Sequence, residues 1–216
     1  MNIPIYCLSY NNPVRCARMK NRFKSLEIDD VTFSPGMKDD ISDRSIMLGH
    51  MDILRRFCER DDAEYAVFCE DDIYIHKDLK THLPIMVQEC KVQNIDILLM
   101  GYLFRQNVSQ IQRPGYTDIP HLHKGEYCDY FGFPDLIWGA QMYMLSKEKA
   151  REFVKKDICD YGEIPYAADW TLTKLGNRAL TVPMYAVEDG TTQYDHDGQQ
   201  ILHHETFHNN INDDYV

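Results

Sequence analysis

The sequence lacks any apolar run long enough to cross a bilayer, which takes about 20 residues. It also lacks a basic segment followed by an apolar one at its start, so no signal peptide is predicted. Both absences lead us to expect a cytoplasmic protein without membrane insertion. Basic residues are scarce as well, because 23 Lys and Arg stand against 34 Asp and Glu, for a net charge of −11. This balance argues against a nucleic-acid partner, whose phosphates require neutralisation.

Paired cysteines are also missing. The seven cysteines are scattered and include no C-x-x-C pair. Neither a disulfide framework nor a zinc cage is therefore indicated, and reduced thiols are expected. The remaining composition, 216 residues with 44% hydrophobic and 26% charged, is typical of one soluble globular domain.

Apolar segments alternate with amphipathic segments through the first half of the chain. Strands are predicted at 3–8, 31–33, 65–69 and 95–101. Helices are predicted at 13–26, at 42–58 with Ser42 or Asp43 as the N-cap, and at 79–91 with an interruption at Pro84. Ser146 is predicted to cap a further helix that reaches about residue 156. Such alternation favours an α/β fold with a mainly parallel central sheet flanked by helices. The polar stretch 101–125 has no clear period and is predicted to be a long loop.

One segment joins a buried strand directly to three acids. Tyr65–Cys69 is mostly apolar, and Glu70, Asp71 and Asp72 follow it. Adjacent carboxylates resist burial unless a positive group neutralises them. At the carboxyl end of a central strand, a divalent cation with a phosphate-bearing ligand would do so. Alternation along an extended chain would place Glu70 and Asp72 on one side and Asp71 on the other.

The loop after the first strand is expected at the same edge of the sheet. Asn12 is a favourable N-cap and Pro13 a favourable first helical residue. Arg15 then falls in the first turn of the helix. It is suited to meet a diphosphate there, and a solvated surface charge is the equally weighted alternative.

Four segments, by their order and spacing, carry a resemblance to a known family. They are Tyr6–Asn11 with Arg15, Gly49–Phe57 continuing to Tyr65–Asp72, Gly139–Ser146, and Ile164–Trp170. Together they resemble the nucleotide-sugar glycosyltransferases of the GT-A fold, in particular family 25, the lipopolysaccharide and procollagen galactosyltransferase type. The length is also similar to that of small glycosyltransferase domains of large algal DNA viruses.

The resemblance implies a metal-dependent glycosyltransferase of hexosyltransferase type. Such an enzyme moves a sugar from a nucleoside-diphosphate sugar, here a UDP-sugar, to a glycan hydroxyl. It implies a single GT-A-like domain over 1–216 with a smaller accessory sheet. The nucleotide-binding half would be 1–100, the acceptor and catalytic half 126–190, and the tail 191–216.

The resemblance also assigns roles to individual residues. Glu70 and Asp72 would be the DxD-type pair that holds Mn²⁺ or Mg²⁺, with His204 chosen among four tail histidines as a third ligand. The nucleotide sugar would be bound by Ser9, Asn11, Arg15 and Asp71. Asp169 would be the base for the acceptor hydroxyl in an inverting enzyme, or would bind the sugar in a retaining one. The alternatives are a helix N-terminal charge for Asp169 and a solvated tail residue for His204.

Three other functions compete with this interpretation. A nucleotidyltransferase would usually carry a Gly-rich basic loop after the first strand, where this chain has Ser9–Pro13. A non-catalytic nucleotide- or carbohydrate-binding module would bind the same ligands without turnover. A histidine-metal hydrolase requires three converging ligands, which the histidine spacing of this chain is not expected to supply.

Overall fold

The computed structural model describes residues 2–103, 121–124, 138–156, 168, 172, 177–189 and 210–216. The helices bounded within these ranges are α1 (Pro13–Ser25), α2 (Ser42–Glu59), α3 (Leu79–Gln93) and α4 (Lys147–Lys156). The strands of the first half are β1 (Ile5–Leu8), β2 (Val31–Ser34), β3 (Tyr65–Glu70), β4 (Ile73–Ile75) and β5 (Ile97–Leu103). The later strands are β6 (His121–Lys124), β7 (Trp138–Ser146), β8 (Arg178–Val182) and β9 (Ala186–Glu188).

Seven of these strands form one sheet in the order β2-β1-β3-β7-β5-β8-β6. Strands β1, β2, β3, β5 and β8 point in one direction, and β7 and β6 run against them. Strands β4 and β9 pair antiparallel as a separate two-stranded sheet. The predicted fold class is therefore confirmed: an α/β fold with a mainly parallel central sheet, flanking helices and a smaller accessory sheet.

The sheet is buried on both faces, as the apolar run Tyr65–Cys69 predicts. Side chains of β1 alternate between two core clusters, with Tyr6 and Leu8 in one and Ile5 and Cys7 in the other. The first cluster contains the apolar stripe of α2, and the second contains that of α1 and α3. The rings of Tyr6, Phe68 and Tyr143 stack in sequence across three strands of the first face, with centroids 5.5 and 5.3 Å apart. All three side chains are buried.

The register of β1, β2 and β3 brings three loops to one edge of the sheet. Leu8, the last residue of β1, lies opposite both Ser34 of β2 and Glu70 of β3. Because these strands are parallel and end together, the segments that follow them meet. The loop after β1, the loop after β2 and the acids after β3 therefore share this carboxyl edge.

Four local features differ from the sequence-based predictions. Strand β7 inserts antiparallel between β3 and β5, an arrangement that the alternation pattern does not predict. His121–Lys124, within the predicted long loop, pairs with β8 as an edge strand. Helix α3 continues through Pro84, which lies in its second turn and costs one backbone hydrogen bond. Ser42 is the first helical residue of α2 rather than its cap.

Two helix starts follow the sequence. The side chain of Asn12 accepts a hydrogen bond from the backbone N–H of Arg15, and Pro13 begins α1. The hydroxyl of Ser146 likewise accepts from the backbone N–H of Lys149 and caps α4. None of the described helices is both long and apolar enough to span a membrane.

Candidate functional site

One face of α1 carries a row of arginines. Arg15, Arg18 and Arg22 are spaced three and four apart, so they project from the same side of the helix. Arg18 forms an ion pair with Asp189, at 2.5 Å. Arg22 donates to the backbone carbonyl of Ile73 and packs over the ring of Tyr74. The helix thus fixes the chain that follows β3 by charge as well as by packing.

Arg15 is the arginine nearest the three acids. Its Nη1 lies 3.4 Å from Oδ1 of Asp71 and 3.1 Å from Oδ2 of Asp72. Ser9 donates its hydroxyl proton to the second oxygen of Asp71 at 2.6 Å. The first helix and the loop before it therefore hold Asp71 from two sides.

Asp71 and Asp72 contact the same guanidinium, which corrects the predicted alternation. Strand β3 ends at Glu70 and β4 begins at Ile73, so the chain bends between them. The bend lets two successive carboxylates converge on Arg15, which an extended chain would not allow. Both carboxylates are nearly buried, at 6% exposure each.

The carboxyl group of Asp72 has a pKa far above its usual range. Burial raises the pKa of Asp72 to about 8, with Glu70 and Glu188 adding to the shift and Arg15 opposing it. Its Oδ1 is buried and has no hydrogen-bond partner among the described residues. The backbone carbonyl of Asp72 accepts from the N–H of Asp189, which anchors the end of β9 beside it.

The acids open into a cavity of ≈ 460 Å³ at the carboxyl edge of the sheet. Its floor is formed by the end of β1, the three acids and Arg15. Its other wall comes from the loop after β2 and the first turns of α2, and the lining side chains there are Asp39, Asp40, Ser42, Ser45 and Ile46. Tyr10, which is 43% exposed, stands at its rim. The cavity combines one cation, several carboxylates and an exposed aromatic ring.

Two buried polar side chains, His50 and Tyr143, lie next to Glu70. The Nδ1 of His50 lies 2.9 Å from the hydroxyl oxygen of Tyr143, and its Nε2 lies 3.7 Å from Oε1 of Glu70. His50 and Tyr143 are both at 0% exposure. Burial, with Glu70 and Cys69 nearby, raises the pKa of Tyr143 well above its usual range, so the phenol keeps its proton.

The structure brings together Ser9, Arg15, Glu70, Asp71 and Asp72, five of the residues singled out in the sequence. Asn11 lies on the same loop with a left-handed φ of 46°, but it is exposed and does not line the cavity. The two remaining candidates, Asp169 and His204, lie outside the described residues.

Sequence reasoning missed several residues of this site. Asp39 and Asp40 belong to a loop that the sequence marks only as polar. Its position after a parallel strand is the signal that could have placed it at the carboxyl edge of the sheet. Glu188 was missed because β9 is three residues long and, among the described strands, pairs with the equally short β4. The His50–Tyr143 pair joins residues 93 apart in the chain, so no local pattern reveals it.

The donor set suits a divalent cation. Carboxylate oxygens are the ligands that Mg²⁺ and Mn²⁺ prefer, and the buried Oδ1 of Asp72 faces no protein donor among the described residues. Within those residues, no group of three or more His, Cys, Asp or Glu side chains is arranged to hold a metal by itself. Mg²⁺ is commonly held by one or two carboxylates together with substrate phosphates, so Glu70 and Asp72 fit that mode.

Comparisons with known proteins give structural similarity at low sequence identity. No family model and no curated protein matches the chain. One similar structure is a glycosyltransferase involved in the glycosylation of the major capsid of PBCV-1, with TM-score 0.42, 11% identity, and coverage of 77% of this chain and 69% of that one. A second is a mannose-1-phosphate geranyltransferase from Thermus thermophilus, with TM-score 0.45, 10% identity, and coverage of 84% and 74%. A third is A197 from STIV, with TM-score 0.47, 12% identity, and coverage of 90% and 96%.

Proposed function

We propose that this protein is a metal-dependent glycosyltransferase that moves a sugar from a nucleoside-diphosphate sugar to a hydroxyl of a glycan. The observation that carries the proposal is the cavity at the carboxyl edge of β1 and β3. It joins Arg15, three consecutive acids and the exposed ring of Tyr10. A site with these groups has partners for a phosphate, a cation and a planar base.

Arg15 is the group suited to the diphosphate. Its guanidinium already lies at the cavity beside Asp71 and Asp72, and it is partly exposed, with a side-chain exposure of 23%. Arginine binds phosphate oxygens through charge-assisted hydrogen bonds. Its neighbour Asp71 is fixed by Ser9 and would accept from a ribose or sugar hydroxyl.

Glu70 and Asp72 would hold the Mn²⁺ or Mg²⁺ ion. When bound, the ion neutralises the negative charge that develops on the departing nucleoside diphosphate. Glu70 lies at the open side of the site, with 27% of its side chain exposed, whereas Asp72 is buried beside it. The chain itself positions the donor and shields it from water on the side of α2. Asp169, as the base for the acceptor, and His204, as a third ligand, are part of the same proposal.

The test is calorimetric titration of UDP, GDP, ADP and CDP, each with and without Mn²⁺, on wild type and Asp72→Ala. We expect one diphosphate, UDP, to bind only with Mn²⁺, and the binding to be lost in Asp72→Ala. Asp78→Ala is the matched control, because Asp78 is an exposed acid that makes no side-chain cap to α3. The control is expected to bind like wild type.

Two results would reject the proposal. One is that no nucleotide binds wild type under either condition. The other is that binding is indifferent both to Mn²⁺ and to Asp72. Turnover of a bound UDP-sugar, followed as release of UDP, separates the enzyme from a non-catalytic binding module.

A further inference from the structure

His50 occupies an unusual place for a polar side chain. It lies on α2 among Met47, Met51 and Leu54, and all four side chains are at 0% exposure. A buried imidazole requires a partner for each ring nitrogen, because an unpaired polar atom in the core costs about 1–3 kcal/mol. Among the described residues, the hydroxyl of Tyr143 lies next to one ring nitrogen and the carboxylate of Glu70 lies near the other.

The backbone explains why the ring reaches Glu70. The preceding residue, Gly49, packs so close to β1 that a Cβ there would lie 2.8 Å from Cδ1 of Leu8. Leu8 is the register partner of Glu70 in the neighbouring strand. Residues 68 and 70 of β3 point to the same face of the sheet, and Phe68 on that face stacks on Tyr143. Helix α2 therefore brings His50 against the end of β3.

The two neighbours together determine the tautomer of His50. If Nδ1 carried the proton, it would donate to the Tyr143 oxygen and leave a lone pair on Nε2 facing the Glu70 carboxylate, which is repulsive. If the Tyr143 hydroxyl donates to Nδ1, the proton of the ring sits on Nε2 and faces the carboxylate. Of the two neutral tautomers, only the second satisfies both neighbours.

We propose that His50 is a positioning residue for Glu70, with the Tyr143 hydroxyl donating to Nδ1 and the Nε2–H holding the Glu70 carboxylate toward the cation and the diphosphate. The distance of 3.7 Å between Nε2 and Oε1 exceeds hydrogen-bond range, so in this structure the contact between the two groups is electrostatic. Glu70 is partly exposed, so a small rotation closes it when a ligand orders the site. The proposal rests on the proposed function for its ligand, but its geometry is measurable without one.

The first experiment determines the tautomer in the metal-free protein. The imidazole ¹⁵N chemical shifts of histidine-labelled protein distinguish the two nitrogens, and the spectrum of His50→Gln assigns the His50 signals. We expect the Nε2–H tautomer in wild type, with weaker preference in Tyr143→Phe and in Glu70→Gln. An Nδ1–H tautomer in wild type would overturn the proposal.

The second experiment compares two conservative variants. In His50→Gln the amide nitrogen takes the place of Nε2 and keeps a donor toward Glu70. In His50→Asn the amide takes the place of Nδ1 and keeps a partner for Tyr143 only. Loss of such a supporting contact typically lowers metal affinity by about 10- to 100-fold. We expect calorimetric Mn²⁺–UDP affinity to fall at least about tenfold in His50→Asn and to stay within about threefold in His50→Gln.

A second, partly buried histidine–tyrosine pair provides the control. Nδ1 of His82 lies 2.5 Å from the hydroxyl oxygen of Tyr185, and neither residue lines the cavity. His82→Gln and His82→Asn are expected to leave Mn²⁺–UDP affinity unchanged while lowering stability to urea. Equal affinities of His50→Gln and His50→Asn would overturn the proposal, because a purely structural histidine predicts that result.

The two hypotheses fail in different ways. If wild type binds no nucleotide with Mn²⁺, the proposed function is wrong, and the tautomer with its dependence on Glu70 still decides whether His50 positions that carboxylate. If wild type binds but the tautomer is Nδ1–H, the function stands and the role of His50 is rejected.

Discussion

Arg15 shows how one side chain connects the fold to the candidate site. In this structure its guanidinium neutralises Asp71 and Asp72, which stabilises two nearly buried carboxylates. A nucleoside diphosphate would offer it a second set of oxygens at the same cavity. The residue stabilises the bend after β3 and, under the proposed function, would also bind the ligand.

We predict that Arg15→Ala lowers Mn²⁺–UDP affinity by about 10- to 100-fold. The reason is that a hydrogen bond to a charged group contributes about 1.5–3 kcal/mol. The measurement is calorimetric titration, with urea unfolding of the same samples. Lys24→Ala is the control, since it removes one positive charge from an exposed position of the same helix. Lower stability with unchanged affinity would mean that Arg15 serves only the carboxylates.

His76 provides a pH-dependent term in stability. It is 8% exposed and packs between the rings of Tyr185 and Tyr215. Burial lowers the pKa of His76, and His82 and Lys77 act in the same direction, while Asp78 and Asp214 oppose it. Because the folded-state pKa lies below the unfolded value of about 6.5, the unfolded chain takes up this proton first. The stabilisation is complete above about pH 6.5 and is lost as the pH falls.

We therefore expect wild type to lose more stability than His76→Gln when the pH falls from about 7.5 to about 5.5. The midpoints of urea unfolding at the two pH values measure this difference. The quantity compared is the change in midpoint between the two pH values. The effect of the substitution on packing is present at both pH values and therefore cancels. Equal changes in midpoint for wild type and His76→Gln would show that His76 takes up its proton in the folded protein as readily as in the unfolded one.

At this scale, the sequence predicted the residues that lie next to a strand end. Ser9 follows β1, the three acids lie at or just after the end of β3, and Arg15 lies in the first turn of α1, so an apolar run and a cap were enough to place them. The contacts of His50 with Tyr143 and of Arg18 with Asp189 join distant segments. They depend on how helices pack on the sheet, which local periodicity does not encode.

The accessory sheet is attached to the main sheet through a close backbone contact. At Gly101, in β5, a Cβ would lie 2.9 Å from both the Cβ and the carbonyl oxygen of Ala186, and 3.2 Å from the backbone nitrogen of Met142. The register of β5 with β7 shifts at this residue. The absence of a side chain at Gly101 therefore allows β9 to lie against the main sheet, beside the acids.

We predict that Gly101→Ala destabilises the protein by about 1–3 kcal/mol, the usual range for overpacking a core. The atoms that would clash belong to paired strands and cannot move singly. Gly49→Ala is the comparison, because its clash is with the flexible end of Leu8 and alanine gains about 1 kcal/mol in helix propensity. Urea unfolding should therefore show a clearly smaller effect for Gly49→Ala. A Gly101 variant as stable as wild type would show that β9 can shift away from β5.

The elements themselves were predictable to different degrees. Strands β1, β2, β3 and β5 and helices α1–α3 have strong apolar periodicity and lie where the sequence predicts them. Strand β7 was not predicted, although Gly139–Ser146 was noted as a segment similar to a known family. Its residues are apolar in a continuous run, and such a run does not specify strand direction or neighbours.

The two ends of the parallel strands have different characters in the molecule as a whole. At the amino end, Arg60 bridges Asp30 and Asp62, and Asn2 also binds Asp62, which closes the strand starts with surface ion pairs. At the carboxyl end, the acids face a cavity and the chain carries a surplus of negative charge around Asp72. In a chain with a net charge of −11, a bound cation would offset that concentration of charge.

The whole molecule should therefore be stabilised by the ligand pair that the site is proposed to bind. At a ligand concentration of about 100 times Kd, the stabilisation is about 2.7 kcal/mol. For a chain of this length, that corresponds to a rise in Tm of about 5–10 °C. We expect this rise in a thermal melt with Mn²⁺ and UDP together, a much smaller one with either alone, and none in Asp72→Ala.

Zinc provides the informative contrast in the same experiment. The tail contains His204-Glu205-Thr206-Phe207-His208, a match to the H-E-x-x-H pattern of zinc hydrolases that lies outside the described residues. A hydrolase would be stabilised by Zn²⁺ without nucleotide, and His208→Ala would abolish the effect while Asp72→Ala would not. A glycosyltransferase predicts the reverse: Asp72 is required, UDP is required, and His208 is dispensable. The melts of wild type, Asp72→Ala and His208→Ala with each metal thus separate the two chemistries, because the hydrolase requires His208 and the glycosyltransferase requires Asp72.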